Sequence, residues 1–456
     1  MAELDPEELV HFGKKAIKTA LGKGADEAET FLTESLNTSV AIERGQITKN
    51  KRKRGQGLAI RAIYRKAVGF SYTNILNDKS VEQAATEAFE SARASKPDKE
   101  WGGFPTPTKY GTPKDTYDNK LAAVSSEELV NIASRILDEV SNYDKRVLAA
   151  FGSVETSASS KAVINSHGLE AFDKGTFIGC VLGTVARQAK EVTPICVEFS
   201  GERLYRINPE SVGREAARQA VSQLSARKID SGEFTVIFGQ MALFELLYFT
   251  FINSVKADWV QREQSALKGK IGQKVASEMI SIYDDGLMAE GLQTWKFDDE
   301  GVPRRKTPIV DKGVLRHYLY DCYTAKKDGV ESTGNALRKG QMAYMSTPVI
   351  EASNFVLEAG NRSPDDLVGE VVDGVLVRSL QGAHSSNPST GEFSVVATPA
   401  WKIEDGEIVY AVKGAMLAGT VFDVLNNVSA LGNNSRKIEQ VVTPWISTAN
   451  IKVVGK

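Results

Sequence analysis

Hydrophobic and polar residues alternate in distinct patterns along the first third of the chain. Pro6, Glu7 and Glu8 precede apolar residues at helical spacing up to about Leu21, which predicts a first helix with acids in its first turn. Short β-like runs follow, separated by polar or glycine-containing stretches, and then an alanine-rich helical pattern. The predicted strands are Glu27–Glu34, Thr38–Lys49 and Leu58–Tyr72, and the second helix covers Ser80–Ala94.

The same order of elements recurs after Lys96–Lys120, a segment rich in Pro, Gly, Lys and Asp that predicts a linker. Ser125 and Ser126 precede two glutamates and a leucine, a capping pattern that predicts a helix to about Asn142. We therefore expect two tandem helix–strands–helix units. The elements of the second unit are strands at Val147–Ser157, Lys161–Asn165, Gly175–Ala189 and Pro194–Phe199 and a helix from Pro209 to about Arg227.

The pattern changes from Phe234 onward. Phe234–Gly239 predicts a buried strand, and an apolar helix follows at Met241–Val255. Many short strands and turns come next, including an Asp405-Gly406 hairpin signal between alternating apolar runs. The expected class is α+β: two tandem helix–antiparallel-strands–helix units, 1–120 with its linker and 121–230, and a β-rich C-terminal domain, 231–456, containing one buried apolar helix.

Composition and charge limit the cellular locations and the binding partners that we expect for this protein. The formal net charge of −2 gives no overall attraction to nucleic acid or to an acidic membrane surface. The apolar stretch at Met241–Val255 is interrupted by Glu245 and is shorter than the roughly 20 apolar residues that a membrane span needs. Three widely spaced cysteines suit a reducing compartment, and the acidic N-terminus does not resemble a secretory signal. A cytoplasmic protein is expected.

A series of short motifs in the second half identifies a family. They are Phe297–Pro303, Gly313–Leu315, Tyr318–Asp321, Tyr323–Ala325, Ser332–Ala336, Asn387–Ser394, Asp405–Ile408 and Val412–Gly414. In this order and spacing the chain resembles the TldD/PmbA (TldE) family over nearly its whole length, most clearly from Val236 onward. The resemblance implies two related types of protein that assemble together. The TldD type carries a zinc site built from a His-Glu-x-x-x-His helix and a late cysteine, and the TldE type keeps the fold without the site.

The residues decide between the two types. When the TldD pattern is laid on this chain without gaps, its strand falls on Val236–Phe238 and its leucine pair on Leu246-Leu247. Tyr248 and Asn253 then stand where the two histidines would be, and Phe249 replaces the catalytic glutamate. A phenol and a carboxamide are poor zinc ligands, and a phenyl ring cannot accept a proton from water.

The late cysteine is missing too, because no cysteine follows Cys322. We expect a TldE/PmbA-type chain that is inactive alone and holds no metal or other cofactor. Two interpretations of Tyr248, Phe249 and Asn253 remain open. They are core-helix residues with Asn253 hydrogen-bonded internally, or they contact peptide in a metal-free cleft.

The expected function is that of a non-catalytic subunit of a TldD/TldE-type zinc metalloprotease complex that acts on unfolded or short peptides. The partner would be a TldD-like peptidase that supplies the zinc, in a heterodimer or a larger complex, and a homodimer is an alternative assembly. Five residues are candidates for the lining of a peptide cleft: Ser332, Thr333, Asn335, His384 and Asn387.

Two other functions are weighed against this one. An independent hydrolase would need Cys322, Ser332 and His384 to converge in one pocket. A DNA-associated modulator would use the basic run Lys49–Arg54, although this run is expected at a solvated hairpin end between two strands and nucleic acid is not a favoured partner.

Overall fold

The computed structural model describes residues 6–340 and 342–455. The acidic residues before Pro6, which do not resemble a secretory signal, lie outside the described residues. The architecture is α+β with a β-rich C-terminal domain, which confirms the predicted class. In the described part of the chain no helix is both long and apolar enough to cross a membrane.

Residues 6–230 form one sheet that is covered by helices on one face. Its strands lie in the order β3-β2-β1-β4-β5-β6, with β7 also paired to β5. The strands are β1 (Glu27–Glu43), β2 (Gln46–Tyr64), β3 (Ala67–Thr73), β4 (Val147–Asn165), β5 (Glu170–Gln188), β6 (Glu191–Val192) and β7 (Cys196–Glu202). The helices are α1 (Pro6–Lys23), α2 (Asp78–Ala94), α3 (Asn119–Ala122), α4 (Ser126–Tyr143) and α5 (Pro209–Ser222).

The two predicted units meet through their first strands. β1 and β4 pair antiparallel along their length, so that β2 and β3 extend the sheet on one side and β5 and β7 on the other. Helices α1 and α2 pack on one half of this face and α4 and α5 on the other half. Each unit therefore keeps the predicted helix–strands–helix order, while the division into domains at residues 120 and 230 stays a prediction.

Strands β1 and β4 are longer than the sequence indicated, whereas the predicted strands Thr38–Lys49 and Leu58–Tyr72 are wrong, because turns at residues 44–45 and 65–66 interrupt them. The breaks predicted after Glu34 and after Ser157 are wrong, because β1 and β4 continue through them. The polar residues there, such as Ser35 and Ser159, are paired with each other in the middle of the sheet. They interrupt the hydrophobic pattern because they lie on the face opposite the four helices, which the C-terminal domain covers only in part. A partly covered face tolerates polar side chains.

The C-terminal domain is built around one apolar helical segment. Strand β8 (Gly232–Phe238) leads through Gly239 into this segment, which comprises α6 (Gln240–Leu246), a π-helical turn (Leu247–Phe251) and α7 (Ile252–Ser254). Its side chains pack between a nine-stranded and a six-stranded sheet in one core. The predicted buried strand and the predicted buried helix are both confirmed.

The nine-stranded sheet has the order β16-β17-β20-β24-β8-β15-β18-β19, with β21 paired to β24, and the six-stranded sheet has the order β11-β10-β9-β14-β23-β22. The strands are β9 (Ile282–Asp285), β10 (Lys306–Asp311), β11 (Val314–Leu315), β12 (Ala336–Leu337), β13 (Val349–Ile350), β14 (Phe355–Leu357), β15 (Asp373–Val377), β16 (Leu380–Gln381), β17 (Glu392–Ala397), β18 (Ala400–Glu404), β19 (Glu407–Val412), β20 (Met416–Thr420), β21 (Val428–Leu431), β22 (Arg436–Ile438), β23 (Val441–Thr443) and β24 (Ile446–Val454). The remaining helices are α8 (Ala257–Gln261), α9 (Cys322–Asp328), α10 (Pro364–Gly369) and α11 (Val421–Asn426). The Asp405-Gly406 hairpin is confirmed, since both residues have positive φ (47° and 81°) between β18 and β19, as a type I′ turn requires.

Buried ion pairs join the N-terminal sheet to the C-terminal domain. Arg61 on β2 donates to Glu29 on β1 at 3.1 and 2.6 Å and to Glu300 of the C-terminal domain at 3.0 Å. Arg338, also from the C-terminal domain, donates to the same Glu29 at 3.0 Å. Lys161 on β4 pairs with Asp299 at 2.7 Å. The acidic Asp298-Asp299-Glu300 turn is thus an internal connection.

We predict that Arg61→Leu lowers the free energy of unfolding by about 3–5 kcal/mol, because it leaves Glu29 and Glu300 buried without a cation that they share. Urea denaturation measures the change. The matched control is Arg135→Leu, which breaks an exposed pair with Glu210 and should cost less than about 1 kcal/mol. Equal losses of unfolding free energy in the two variants would show that the buried ion pairs stabilise the protein no more than an exposed pair does.

Candidate functional site

The segment predicted to correspond to a zinc-binding helix is irregular at the predicted ligand positions. The helix widens into a π-turn at Leu247–Phe251, where the Ile252 N–H donates to the carbonyl of Leu247, five residues back. The Thr250 hydroxyl donates to the carbonyl of Leu246 at 2.5 Å, a local bond of the kind that bends helices. Such π-turns frequently mark functional sites, and here the turn sets the directions of Tyr248 and Phe249.

The three degenerate positions form an aromatic and amide surface. Tyr248 stacks on Phe244 with ring centroids 5.6 Å apart and meets Phe249 edge-on at 5.0 Å. Tyr248, Phe249 and Asn253 are all half-buried. Within the described part of the chain, neither the Tyr248 hydroxyl nor the Asn253 carboxamide forms a hydrogen bond. The interpretation that Asn253 is hydrogen-bonded internally is therefore not supported.

His384 lies against this surface. It belongs to a 3₁₀ turn, Ala383–Ser385, and its exposed ring meets Phe249 edge-on with the centroids 6.3 Å apart. The following loop also lies on the helix, since Ser254 Oγ donates to the carbonyl of Pro388 at 3.2 Å. Asn387 shapes this loop by accepting N–H bonds from Ser389 and Thr390. The structure thus brings His384 and Asn387 to the helix that carries the degenerate positions.

Ser332, Thr333 and Asn335 belong to a different polar network. Ser332 Oγ donates to the Tyr320 carbonyl at 3.2 Å and accepts from the N–H of Gly334. Thr333 accepts the Tyr320 N–H at 2.7 Å. Asn335 donates to Asp284 at 2.7 Å and to the Glu351 carbonyl at 3.0 Å. These polar atoms already have partners within the protein, and both Thr333 and Asn335 are buried. The role of the three residues in a peptide cleft stays a prediction.

Glu245 is a functional candidate that the sequence reasoning missed. Its carboxylate accepts hydrogen bonds from the Ser379 hydroxyl at 3.0 Å and from the Leu380 N–H at 2.5 Å, which ties the helix to the segment leading to His384. Burial raises the pKa of Glu245 to about 7 against the opposing effect of these bonds. A signal was present in the sequence, because Glu245 is the single charged residue between Met241 and Val255.

The side chains at this surface do not fit a catalytic zinc ion. A zinc site needs three nitrogen, sulfur or oxygen ligands and an open position for water. Tyr248 and Asn253 offer a neutral phenol and a neutral amide, and Phe249 offers no donor atom. Over residues 6–340 and 342–455, no group of three or more His, Cys, Asp or Glu side chains is arranged to hold a metal ion.

The geometry does not support the interpretation of this chain as an independent hydrolase. Cys322 is a poor nucleophile, because burial and the nearby Glu300 and Asp298 raise the pKa of its thiol well above the ordinary value. Ser332 is hydrogen-bonded to Tyr320 and Gly334, while the ring of His384 contacts Phe249. Among the described residues, no hydrogen bond joins any two of these three groups.

The basic run lies on a strand, which corrects the expectation of a hairpin end. Lys49–Arg54 belongs to β2, and the turn comes earlier, at Arg44 and Gly45. The run is exposed along a part of β2 that pairs with β1 but not with β3. Lysine and arginine at such an edge discourage strand pairing with other molecules, which explains the charge without a nucleic-acid ligand.

Comparison with known proteins places the whole chain among metallopeptidase relatives. Three family models match: PmbA/TldA metallopeptidase domain 1 at residues 28–92, the central domain at 119–224 and the C-terminal domain at 231–455. A crystal structure of TldE from Thermococcus kodakarensis is 31% identical with a TM-score of 0.90, covering 98% of this chain and 99% of that one.

Two further relatives also match most of this chain. A metalloprotease from Methanothermobacter thermautotrophicus is 28% identical over 407 residues, 88% of this chain and 87% of that protein. A Thermotoga maritima structure, described as a proposed modulator of a DNA gyrase, is 26% identical with a TM-score of 0.89 and covers 98% of this chain and 100% of that one.

We predict that Glu245→Gln changes the pH dependence of stability. The folded protein holds the Glu245 proton more tightly than the unfolded chain, so the stability that this group contributes is fully present below pH 4.5 and is lost as the pH rises to about 7. Glutamine cannot ionise, and the variant should gain up to about 3 kcal/mol relative to the wild type between pH 4.5 and pH 8.

Urea denaturation across this pH range measures the difference. Ser379→Ala removes a donor to the Glu245 carboxylate and should make the loss of stability at high pH larger. A difference between wild type and Glu245→Gln that does not vary with pH would contradict the assignment.

Proposed function

This chain belongs to the PmbA/TldD metallopeptidase family, and from that premise we propose that it is the non-catalytic subunit of a zinc peptidase complex acting on unfolded or short peptides. The observation that carries the proposal is the outward surface of the aligned helix. The fold of the family is retained over the chain, while Tyr248, Phe249 and Asn253 replace the zinc ligands and the catalytic base.

The chemistry of peptide hydrolysis by zinc explains why these replacements matter. The metal activates a water molecule, and a carboxylate accepts the proton of that water. In this chain the nearest carboxylate on the helix is Glu245, and its oxygens are engaged by Ser379 and Leu380. A partner of the TldD type would supply the zinc ion, the general base and the water, and this chain would hold no cofactor of its own.

The remaining groups suit a peptide-holding role. The Tyr248 hydroxyl and the Asn253 carboxamide have unused hydrogen-bonding capacity in the described part of the chain, and His384 is exposed beside Phe249. An extended peptide has free N–H and C=O groups along its backbone, which such polar groups can satisfy. Aromatic rings next to them offer contacts for side chains of varied shape.

The cysteines support a cytoplasmic location, which we propose together with the function. Cys180, Cys196 and Cys322 are free thiols, and the first two are buried in the protein. A chain with no disulfide among its described residues suits a reducing compartment, in which the zinc-carrying partner would be made as well.

We predict that the purified chain binds well below one zinc ion per molecule and does not cleave an unstructured fluorogenic peptide. Mixed with the relative from the same organism that carries His-Glu-x-x-x-His, it should form a complex that cleaves the peptide faster than the relative alone. Elemental analysis, size-exclusion chromatography with light scattering and the cleavage rate measure these outcomes.

The control complex contains the relative with the glutamate of its motif changed to glutamine, which should be inactive. Light scattering also distinguishes the heteromeric complex from a homodimer of this chain. Stoichiometric zinc together with metal-dependent cleavage by this chain alone would disprove the proposal.

A further inference from the structure

A cavity of about 240 Å³ lies between the C-terminal domain and the face of the N-terminal sheet opposite the helices. Strands β4 and β5 contribute Glu155, Ser157 and Phe177 to its lining. The C-terminal domain contributes Trp295 and Glu439, the latter from the turn between β22 and β23. No residue of the degenerate helix lines it, so it is separate from the surface described above.

Glycines on β5 create the room for its aromatic walls. A Cβ atom at Gly179 would lie 2.4 Å from the ring of Phe177, and one at Gly175 would lie 3.0 Å from the ring of Trp295. A side chain at either position would displace these rings, and at Gly175 it would also displace the Arg203 guanidinium, which lies 2.3 Å from the Cβ position. The lining thus combines the rings of Phe177 and Trp295 with polar groups that include the carboxylates of Glu155 and Glu439.

Those two carboxylates have no counter-ion in the described structure. Glu155 and Glu439 are exposed, and neither forms an ion pair or a hydrogen bond through its carboxylate with the described residues. Although both residues keep an exposed fraction, partial desolvation raises the pKa of both carboxyl groups, and the charge of Glu155 raises the pKa of Glu439 further. Two like charges that disfavour each other make a position where a cation is stabilised.

Nearby cations are already engaged elsewhere. Arg203, which also lines the cavity, donates to the carbonyls of Thr116 and Leu292 and interacts electrostatically with Asp173. Lys437, two residues from Glu439, donates to Glu202 at 2.6 Å. Neither cation is hydrogen-bonded to Glu155 or Glu439 in the described structure, which leaves both carboxylates available to a cationic ligand.

We propose that this cavity binds the basic side chain of an extended peptide, with the ammonium or guanidinium group at Glu155 and Glu439 and the aliphatic stem against Phe177 and Trp295. A bare metal ion fits less well, because two carboxylates do not complete a coordination shell and the volume is several times that of a single water molecule. The identification of the ligand as a peptide rests on the proposed function, whereas the preference for a cation rests on the cavity itself.

The test is the binding of short unstructured peptides to the full chain, measured by isothermal titration calorimetry. Four peptides differ only at one central position, which holds lysine, arginine, norleucine or citrulline. Lysine and arginine should bind at least about 10-fold more tightly than their neutral counterparts, since a charge-assisted hydrogen bond contributes about 1.5–3 kcal/mol. The preference should weaken at low pH, where Glu155 and Glu439 are protonated.

The Glu155→Gln/Glu439→Gln double variant should lose this preference and still bind the norleucine peptide with its original affinity. The control is Glu278→Gln/Glu331→Gln, which changes the net charge equally at two highly exposed glutamates and should retain the preference. Circular dichroism verifies that both variants are folded.

Three results would overturn the inference. They are equal affinity for the lysine and norleucine peptides, an undiminished preference in the Glu155/Glu439 double variant, and the same loss in the control variant. Spermidine and Nα-acetyl-lysine amide test the source of the cation, because a free amine that binds as tightly as the lysine peptide would overturn the assignment to a peptide. The proposed function would survive each of these results, since cleavage by the complex is measured separately.

Discussion

The carboxylate of Glu29 accepts hydrogen bonds from two arginines that reach it from different parts of the fold. Arg61 comes from the neighbouring strand and Arg338 from the C-terminal domain, and the side chains of Glu29 and Arg338 have no solvent exposure. Charges held this deeply are tolerated only when their partners satisfy them in good geometry. The connection therefore holds the N-terminal sheet against the C-terminal domain at this point.

The shape of the cavity between the N-terminal sheet and the C-terminal domain depends on how the two are placed relative to each other. The ion pair between Lys161 and Asp299 lies beside it, because the Lys161 ammonium is 4.8 Å from the ring centroid of Trp295, which lines the cavity. A small change in the angle between the sheet and the C-terminal domain would move Trp295 and Glu439 together, away from Glu155. The buried charges thus help to fix the distance between two groups that belong to different sheets.

The sequence is informative where structure and chemistry are local. The buried strand before the apolar helix and the Asp405-Gly406 turn depend on neighbouring residues, and both could be recognised from residue types and spacing. The candidate site was located through the family resemblance, and the assignment of Tyr248 and Asn253 to the positions of zinc ligands stays a prediction. The continuity of β1 through Ser35 could not be recognised from residue types and spacing, because it depends on pairing with Gly55 of β2 and Ser159 of β4. The bond between Arg338 and Glu29 joins residues 309 positions apart, and no local pattern indicates it.

The two faces of the degenerate helix are under different constraints. Leu243, Leu247 and Phe251 are fully buried in the core of the C-terminal domain, and replacing any of them with a small residue would leave a cavity that costs several kcal/mol. The domain therefore needs apolar residues on this face of the helix in order to fold, whichever residues occupy the opposite face. Tyr248 and Phe249 lie on the side that contacts His384, where the stacking of aromatic rings supplies packing that zinc ligands would not. The helix can therefore exchange metal chemistry for a contact surface without loss of the fold, and a subunit that shapes a cleft needs only that surface.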